Sequence, residues 1–356
     1  STRHVLVHTG QNYDPALSGN FFRELGLREP DHDLGAGEGS LGDRLAATLS
    51  GAEAVMLLER PDAVLILGDT NSSLAGIMAR RLRIPLFHME AGNRCFDENV
   101  PEEINRRIID HIADINITYT EHARRNLLAE GLHPRSIYVC GSPMYEVLQH
   151  YRQGYEQSQV LAQLGLARGQ YFAVSLHREE SVDHPEHLQL LLDALRSLRE
   201  RYRDRELIVS THPRTRQRLD DLGISGMEGT RFFSPFGFFD YLRLQMDAAC
   251  VLSDSGTLSE ESAILGFPAV TLRRSMERPE AMDAGTITLT GFSPEAILAS
   301  VAHAMDRYAG GTGHAVPEAY QVPDTSARVM RIILGTAGLI RTWKGIDMPA
   351  PAPGDR

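Results

Sequence analysis

The chain has 356 residues, of which 42% are apolar and 23% charged, and this composition is typical of a globular protein with room for two domains. Its net charge of -11 at pH 7 argues against a nucleic-acid-binding surface, because such surfaces neutralise phosphates with clustered cations. The sequence has no apolar run of about 18 residues and no signal-peptide pattern at its start. We therefore expect a cytoplasmic protein without a membrane segment.

The cysteines and the lysine limit the chemistry further. Cys95, Cys140 and Cys250 lie far apart in the sequence, which predicts neither a disulfide framework nor a metal site. Lys344 is the only lysine, so Schiff-base chemistry is a poor expectation. A bound phosphate would be held by arginine side chains, hydroxyl groups and backbone N–H groups.

Short apolar runs alternate with helical segments along the first 150 residues. The first predicted strand covers residues 4–8. The stretch 37–42 matches GxGxxG but follows no strand, so we interpret it as a loop that caps a helix over 43–59. Further strands are predicted at 64–67, 85–90, 115–118 and 137–140, with a helix over 101–113. Continuous apolar runs of this kind are typical of parallel strands that are buried on both faces.

The same pattern restarts after a segment rich in Gln and Gly. Strands are predicted at 171–175, 207–210, 249–253, 268–272 and 286–290, and a last helix over 323–336 is expected to pack back across the chain. We therefore expect an α/β fold with two Rossmann-like domains that face each other across a cleft. The predicted division is a first domain over 1–150, a linker over 151–168, a second domain over 169–318, a crossing helix within 319–340, and a tail over 341–356 with a disordered proline-rich end.

Two carboxylates follow neighbouring predicted strands in the first half of the chain. Asp69 follows the strand 64–67, and Glu90 ends the strand 85–90. Because parallel strands end at the same edge of a sheet, we expect these side chains to lie close together. Like charges placed so raise one pKa, which suits general acid/base chemistry. Asp69 could instead simply cap the following helix.

More charges surround the start of the helix that is predicted to begin at Pro101. Arg94 precedes this helix, and Glu102, Asn105 and Arg106 lie within it, so we group them with Glu90 as one constellation that could contact a ligand. A structural alternative stays open. Carboxylates favour the positive N-terminus of a helix, and Glu102 stands four residues before Arg106, where an ion pair can form.

In the second half, His177 and Arg178 follow the strand 171–175. A lone histidine is usually structural, but the charges around His177 make a role in the site equally plausible. Tyr241 belongs to an aromatic group before the strand 249–253 that could stack on a base, although core packing is the alternative for most of this group.

The turn over 254–261 is predicted to bind a diphosphate. Ser255, Gly256 and Thr257 could present backbone N–H groups at the start of a helix, where the helix dipole favours anions. The acidic pair that ends the turn, which includes Glu261, suits ribose hydroxyls. The alternative is an ordinary Asp or Ser helix cap.

Nine short motifs occur in order along the chain: Gly10–Asp14, Gly68–Asn71, Met89–Gly92, Pro101–Arg106, Gly141–Ser142, His177–Glu180, Asp254–Gly256 with Glu260 and Glu261, Glu277–Glu280 and Asp283–Thr286. In these motifs and their order, the sequence resembles a known family, the non-hydrolysing UDP-N-acetylglucosamine 2-epimerases. The resemblance covers roughly residues 4–340. The sequences after Ala91 and around Met276–Thr286 look most similar to the branch that acts on 6-deoxy sugars and makes UDP-N-acetyl-L-fucosamine.

The resemblance implies a fold, a substrate and a reaction. The fold is glycosyltransferase-B-like, and the substrate is a UDP-2-acetamido sugar, either UDP-N-acetylglucosamine with its manno epimer or the 6-deoxy pair. The reaction removes the C2 proton with anti elimination of UDP, and UDP then adds back while C2 is protonated on the opposite face. This chemistry needs no redox cofactor. The resemblance also implies a homodimer.

The resemblance assigns roles to single residues. It implies that the acid/base carboxylates are Asp69, Glu90 and Glu102, and that the active-site histidine is His177. The implied ligand contacts are Arg106 for the substrate, Ser255 and Gly256 for the diphosphate, Glu261 for the ribose and Tyr241 near the uracil.

Two departures from the family pattern matter. Family members begin with a strand that ends in Gly-Thr-Arg-Pro-Glu, and this chain starts at the expected second strand, so we expect a segment to be absent from the first sheet. In the segment where some members bind an allosteric activator, Gln11–Asp14 replaces the family's His-Arg pattern. Two other classes of protein remain open: a glycosyltransferase with the same UDP site, and a UDP-sugar-binding regulator without catalysis.

Overall fold

The computed structural model describes residues 2–10, 22–224, 226–310 and 316–345. Of the predicted tail over 341–356, residues 346–356 lie outside the described residues, and so does the segment Gln11–Asp14. Within the described ranges, no helix is both long enough and apolar enough to cross a membrane.

The N-terminal half contains two parallel sheets. The first pairs β1 (Val7–His8) with β2 (His32–Asp33), so only the end of the predicted strand 4–8 forms a ladder. The second is a four-stranded sheet in the order β3 (Val64–Leu67), β4 (Leu86–Met89), β5 (Ile115–Thr118), β6 (Ile137–Val139). β3 forms one edge of this sheet, and its Leu65 and Leu67 are 43% and 63% exposed.

Helices follow most of these strands. Their bounds are α1 (Leu41–Glu59), α2 (Gly76–Arg81), α3 (Pro101–Ile112), α4 (Glu121–Ala129), α5 (Met144–His150), α6 (Arg152–Glu156) and α7 (Val160–Leu164), with 3-10 turns at Asn71–Ala75 and Pro134–Ser136. α1 begins with a capping box, in which Ser40 Oγ accepts from the Asp43 backbone N–H and the Asp43 carboxylate accepts from that of Ser40. Gly37 and Gly39 therefore precede a helix cap, as predicted, whereas Gly42 lies in the first turn of α1, which begins two residues before the predicted helix. α6 and α7 occupy the segment 151–168, which we expected to contain helix and linker but no strand.

The C-terminal half contains a six-stranded parallel sheet. Its strands are β7 (Tyr171–Leu176), β8 (Glu206–Thr211), β9 (Thr230–Phe233), β10 (Cys250–Ser253), β11 (Ala269–Thr271) and β12 (Thr288–Leu289), in the spatial order β12-β11-β10-β7-β8-β9. Its helices are α8 (Glu179–Val182), α9 (Pro185–Arg201), α10 (Pro213–Asp221), α11 (Phe238–Asp247), α12 (Leu258–Leu265), α13 (Glu280–Asp283) and α14 (Pro294–Ala309), followed by a 3-10 turn at Glu318–Tyr320. β9 was not predicted.

The core lies on both faces of this sheet, as a doubly wound fold requires. Along β7, Phe172 and Val174 pack in one apolar cluster, and Tyr171 and Ala173 pack in another. Alternate residues of one strand thus point to opposite covered faces.

The last helix, α15 (Thr325–Lys344), packs back on the N-terminal half. Its Val329 and Ile340 are buried in one cluster with Phe87 and Ile117 of the four-stranded sheet. The predicted return of the chain is confirmed, but the helix is longer than the predicted 323–336 and ends after the predicted limit of 340.

Candidate active site

The loop after β4 holds Glu90 in a fixed and unusual conformation. Glu90 has φ of +69°, in the left-handed region that non-glycine residues rarely adopt. The loop is held to α3, because Gly92 N donates to Asp110 Oδ2 at 3.1 Å. The buried His88 pairs with Asp110 through Nδ1 at 2.7 Å and with the Gly68 carbonyl oxygen through Nε2 at 2.9 Å. Backbone strain that the surroundings maintain in this way is typical of a functional position.

Asp69 lies beside this loop, as its strand predicts. β3 and β4 are adjacent parallel strands with Leu67 opposite Met89, so the residues that follow them leave the sheet at the same edge. Glu90 Oε2 lies 3.9 Å from the position that a Cβ would take on Gly68, the residue before Asp69. The expected proximity of the two carboxyl-bearing segments is confirmed.

Arg106 holds Asp69 in place. Its Nε donates to Asp69 Oδ2 at 2.6 Å and its Nη1 to Glu103 Oε2 at 2.9 Å, and its side chain is buried. Burial acts to lower the pKa of Arg106, but the carboxylates of Asp69 and Glu277 hold that pKa above its ordinary value. Arg106 therefore remains a cation beneath the cleft. It pairs with Glu103 rather than with Glu102, the partner that helical spacing offered.

Two other predicted residues of this constellation lie differently. Glu102 is half-buried in the first turn of α3, and no described residue pairs with its carboxylate. Arg94 is buried, and its donors are occupied by Glu130, by Asp110 and by the Asn93 carbonyl oxygen, each at 2.7 Å. This pairing does not fit the predicted ligand contact and favours a structural role for Arg94, which ties the loop to α3 and α4.

His177 stands at the end of β7 and is oriented by Asp254. Its Nδ1 lies 2.7 Å from Asp254 Oδ1, and the same carboxylate accepts from the backbone N–H groups of His177 and Arg178. Burial acts to raise the pKa of Asp254, but His177 and these donors lower it to about 2. The pairing of Nδ1 leaves Nε2 available to a ligand, and the His177 side chain is 39% exposed. The sequence did not identify Asp254 as this partner.

The turn before α12 has no side-chain cap, so the alternative of an ordinary Asp or Ser cap does not apply. Asp254 is engaged with His177, and Ser255 Oγ and Thr257 Oγ1 lie 3.1 Å from each other. Gly256 stands where a side chain would not fit easily, because a Cβ there would lie 3.1 Å from Glu277 Oε1 and 3.3 Å from Arg178 Nη2. The turn thus keeps its backbone close to arginine side chains.

Glu261 and Tyr241 lie behind this turn. Glu261 is buried, accepts from Gln245 Nε2 at 2.9 Å, and has a pKa that burial raises. Tyr241 is half-buried with its hydroxyl group buried, and burial together with the charge of Glu261 raises its pKa. Both residues border the candidate site in the C-terminal half.

The loop after β11 adds charged residues that our assignment of single residues missed. Glu277 is buried and pairs with Arg273 Nη2 at 2.7 Å and Arg178 Nη2 at 3.3 Å, and Arg106 Nη2 lies 4.0 Å away. Burial opposes its ionisation, but these arginines hold the pKa of Glu277 well below the ordinary range. The available signal was the charged motif over 277–280 at the end of a strand, which the sequence analysis quoted without assigning a role.

The two halves of the chain meet at this point. Arg278 donates from Nη2 to Glu90 Oε1 at 2.8 Å, and its Nη1 lies 2.7 Å from Glu260 Oε2. The Ser142 hydroxyl donates to the other oxygen of Glu260. The candidate site is therefore a cleft with Asp69 and Glu90 on one wall and His177 and the turn before α12 on the other.

The family model described as UDP-N-acetylglucosamine 2-epimerase matches residues 1–334. This chain belongs to the UDP-N-acetylglucosamine 2-epimerase family. A curated relative in the family, the UDP-N-acetylglucosamine 2-epimerase of Methanococcus maripaludis, is 37% identical over 301 residues, which cover 82% of each chain. The family resemblance that the motifs carry is confirmed.

Solved structures of the epimerase family share the whole architecture. The UDP-N-acetylglucosamine 2-epimerase of Rickettsia bellii matches with a TM-score of 0.89 and 43% identity over 97% of this chain and 92% of its own. The Methanocaldococcus jannaschii epimerase, solved in complex with UDP-GlcNAc and UDP, matches with a TM-score of 0.86 and 34% identity over 92% and 91% of the two chains. The glycosyltransferase WaaG shares only the fold, at a TM-score of 0.50 and 15% identity over 82% and 84%. The fold is α/β and glycosyltransferase-B-like, as predicted.

Proposed function

We propose that this chain is a UDP-2-acetamido-sugar 2-epimerase that acts by elimination and re-addition of UDP. The proposal rests on one observation: two carboxylates and an oriented histidine face each other across the cleft. Asp69 and Glu90 stand on one wall, and His177, paired with Asp254, stands on the other. A family member with the same architecture has been solved with UDP-GlcNAc and UDP.

The proposed chemistry balances within the cleft. A carboxylate removes the C2 proton, the C2 electron pair forms the C1=C2 double bond, and the C1–O bond breaks with departure of UDP. In the return step, an oxygen of UDP bonds to C1 and an acid delivers a proton to C2 on the opposite face. General acid/base groups and preorganised cations lower the two barriers. The reaction changes no oxidation state overall, so we propose no cofactor.

We assign the proton transfers to Asp69, Glu90 and Glu102. Glu102 is included because it is half-buried at the start of α3 and no described residue pairs with it. His177 is proposed to stabilise the departing diphosphate or to move a proton through Nε2, because Nδ1 is engaged by Asp254. Both functions need an oriented imidazole ring, which this pairing supplies.

We propose that the nucleotide binds to the wall with His177 and the turn before α12, and to arginines near that wall. The proposed contacts are Arg106 and Arg178 with the sugar diphosphate, Ser255, Gly256 and Thr257 with the phosphates, Glu261 with the ribose and Tyr241 near the base. The absence of a side-chain cap on α12 supports the phosphate site, because uncapped N–H groups and the helix dipole attract anions. We also propose that residues 1–150 and 169–318 form two domains, because each range supplies one wall of the cleft. The crossing helix then packs back on the first domain.

We also propose that the enzyme is a homodimer. The proposal rests on the family resemblance, and Ile104 and Ile108, which are 58% and 36% exposed on one face of α3, give an apolar surface to bury. Sedimentation equilibrium should give twice the 39.5 kDa of one chain. A mass of one chain at micromolar concentration would refute the dimer.

The activity is tested with two epimer pairs side by side. The chain is incubated with UDP-N-acetylglucosamine and, separately, with UDP-N-acetyl-L-fucosamine, and proton NMR follows the appearance of each C2 epimer. Conversion of either pair supports the proposal and names the sugar. Transfer of the sugar to an added acceptor without epimerisation would identify a glycosyltransferase instead. Calorimetric binding of UDP-sugar without turnover would identify a regulator.

A further inference from the structure

Arg278 connects the two walls of the cleft. It follows β11 in the C-terminal half, and its side chain is 9% exposed. One terminal nitrogen, Nη2, donates to Glu90 Oε1 at 2.8 Å, and the other, Nη1, lies 2.7 Å from Glu260 Oε2. Arg278 thus divides its guanidinium group between a carboxylate of each half.

Glu260 is itself fixed from the opposite half. It is 2% exposed, and its second oxygen accepts from the hydroxyl group of Ser142, which follows β6 in the N-terminal half. The path from Ser142 through Glu260 and Arg278 to Glu90 therefore crosses between the halves twice. It can form only when both halves are close.

Glu90 has few other constraints on its side chain. Among the described residues, the other hydrogen-bond donor to its carboxylate is Asn93 Nδ2, at a longer 3.3 Å. The backbone of Glu90 is fixed in the left-handed conformation, which leaves only the side-chain torsions to vary. The hydrogen bonds of the carboxylate therefore determine where the side chain points. A guanidinium group can hold two carboxylates in fixed directions, whereas an ammonium group is a point charge.

We infer that Arg278 is a positioning residue, which aims the Glu90 carboxylate at the substrate and makes that aim depend on closure of the two halves. The inference rests on the proposed function, since it assumes that Glu90 transfers a proton. Because its two terminal nitrogens lie against carboxylates, we assign Arg278 to Glu90 and not to the diphosphate. Glu90 would then reach its catalytic position only when the two halves close around the substrate.

The test compares Arg278→Gln with wild type in three measurements. The first is the rate of C2 epimerisation, the second is KM, and the third is the affinity for UDP by calorimetry. A misplaced carboxylate should lower kcat by about 100-fold, while KM and the UDP dissociation constant change by less than about threefold, because uniform binding is kept. Arg274→Gln is the matched control, because Arg274 is an exposed arginine on the same loop and should keep wild-type rates.

Two further variants separate positioning from a general structural effect. Arg278→Lys should recover part of kcat, because lysine restores the positive charge but not the two terminal nitrogens that contact Glu90 and Glu260. In a Glu90→Gln background, Arg278→Gln should lower the rate by less than about threefold further, because residues that act through one another are not additive.

Each result decides the inference. Wild-type kcat in Arg278→Gln, or a full additional loss in the Glu90→Gln background, would overturn it. A loss of UDP affinity as large as the loss of kcat would overturn it too and make Arg278 a diphosphate ligand. Failure of the wild-type protein to epimerise any sugar would refute the proposed function itself, and the inference with it.

Discussion

Glu90 and Asp69 leave neighbouring strands at one edge of the sheet, and each is held by an arginine. If they transfer the C2 proton, Glu90→Gln and Asp69→Asn should each lower the epimerisation rate by at least about 100-fold. The measurement is kcat for the active epimer pair, with circular dichroism to confirm folding. The matched controls are Glu98→Gln and Asp62→Asn, whose side chains are exposed. Variants that retain near wild-type rates would move the chemistry to other residues.

Glu260 makes folding stability depend on pH. Burial, assisted by the charges of Glu90 and Glu280, raises the pKa of Glu260 to about 7 from its ordinary 4.5, although Arg278 and Ser142 oppose this shift. The protonated form is therefore favoured in the folded state, and this stabilisation is present below pH 4.5 and is lost as pH rises through about 7.

Urea denaturation of wild type and Glu260→Gln measures this dependence. From about pH 5 to about pH 8, the free energy of unfolding of wild type should fall relative to that of the variant, because only wild type must ionise the buried group. An equal change in both proteins would show that Glu260 does not titrate in this range.

The ion pair of Glu260 and Arg278 belongs to a set of contacts between the two halves that could not be predicted from the sequence. The neighbouring strand ends that bring Asp69 beside Glu90 follow from hydrophobic pattern and topology alone. The pairing of Arg278 with Glu90 depends on how two separately folded halves meet, and no local pattern in the sequence encodes that distance. For the same reason Arg94 was grouped with the ligand residues, although its buried pairing with Asp110 and Glu130 ties down the loop instead.

At the scale of the element, α15 offers a direct test of backbone entropy. Gly338 lies inside this helix, has no positive φ, and has open space where a Cβ would stand. Gly338→Ala should raise the free energy of unfolding by about 0.5–1 kcal/mol, because alanine loses less backbone freedom on folding.

A second glycine gives the opposite expectation. Gly92 has φ of +80°, and a Cβ there would lie 2.4 Å from the Ala123 carbonyl oxygen. Gly92→Ala should therefore destabilise the protein by more than Gly338→Ala stabilises it. Chemical denaturation measures both effects, and destabilisation by Gly338→Ala would show that the helix is strained at that position.

The elements that could be predicted are those with a strong local pattern. Continuous apolar runs identified the buried strands β4, β7 and β10, and Pro101 marked the start of α3. β9 was missed because it is a short edge strand, Thr230–Phe233, whose Arg231 pairs with Glu206 of β8 and interrupts the apolar run. The end of α15 was set too early because Gly335 and Gly338 weaken the helical pattern, while buried contacts at Ile340 maintain the helix.

At the scale of the whole molecule, α15 makes the end of the chain part of the N-terminal core. Ile340 is 1% exposed and packs with residues of the four-stranded sheet. Ile340→Ala should lower the free energy of unfolding by about 2–5 kcal/mol through lost burial and a cavity. Leu339→Ala is the control, because Leu339 is 48% exposed and its truncation should cost less than about 0.5 kcal/mol.

Trp343 reports this unfolding without an added probe. It is the only tryptophan of the chain, and its ring lies 5.0 Å from the Arg135 guanidinium group of the N-terminal half. If α15 is integral to that half, the Trp343 fluorescence should change within a urea transition that the far-ultraviolet circular dichroism of the chain also shows. Early loss of the Trp343 signal, with the sheet still folded, would show that the helix is only loosely attached.

The cleft between the halves gives the molecule its proposed function, and exchange at C2 tests that function most directly. Wild-type protein is incubated in D2O with each candidate UDP-sugar, and mass spectrometry and NMR follow the recovered sugar. We predict one deuterium at C2 in both epimers, because the C2 proton leaves and is replaced from solvent in every turnover. Recovery of every candidate sugar without deuterium at C2 would contradict the account.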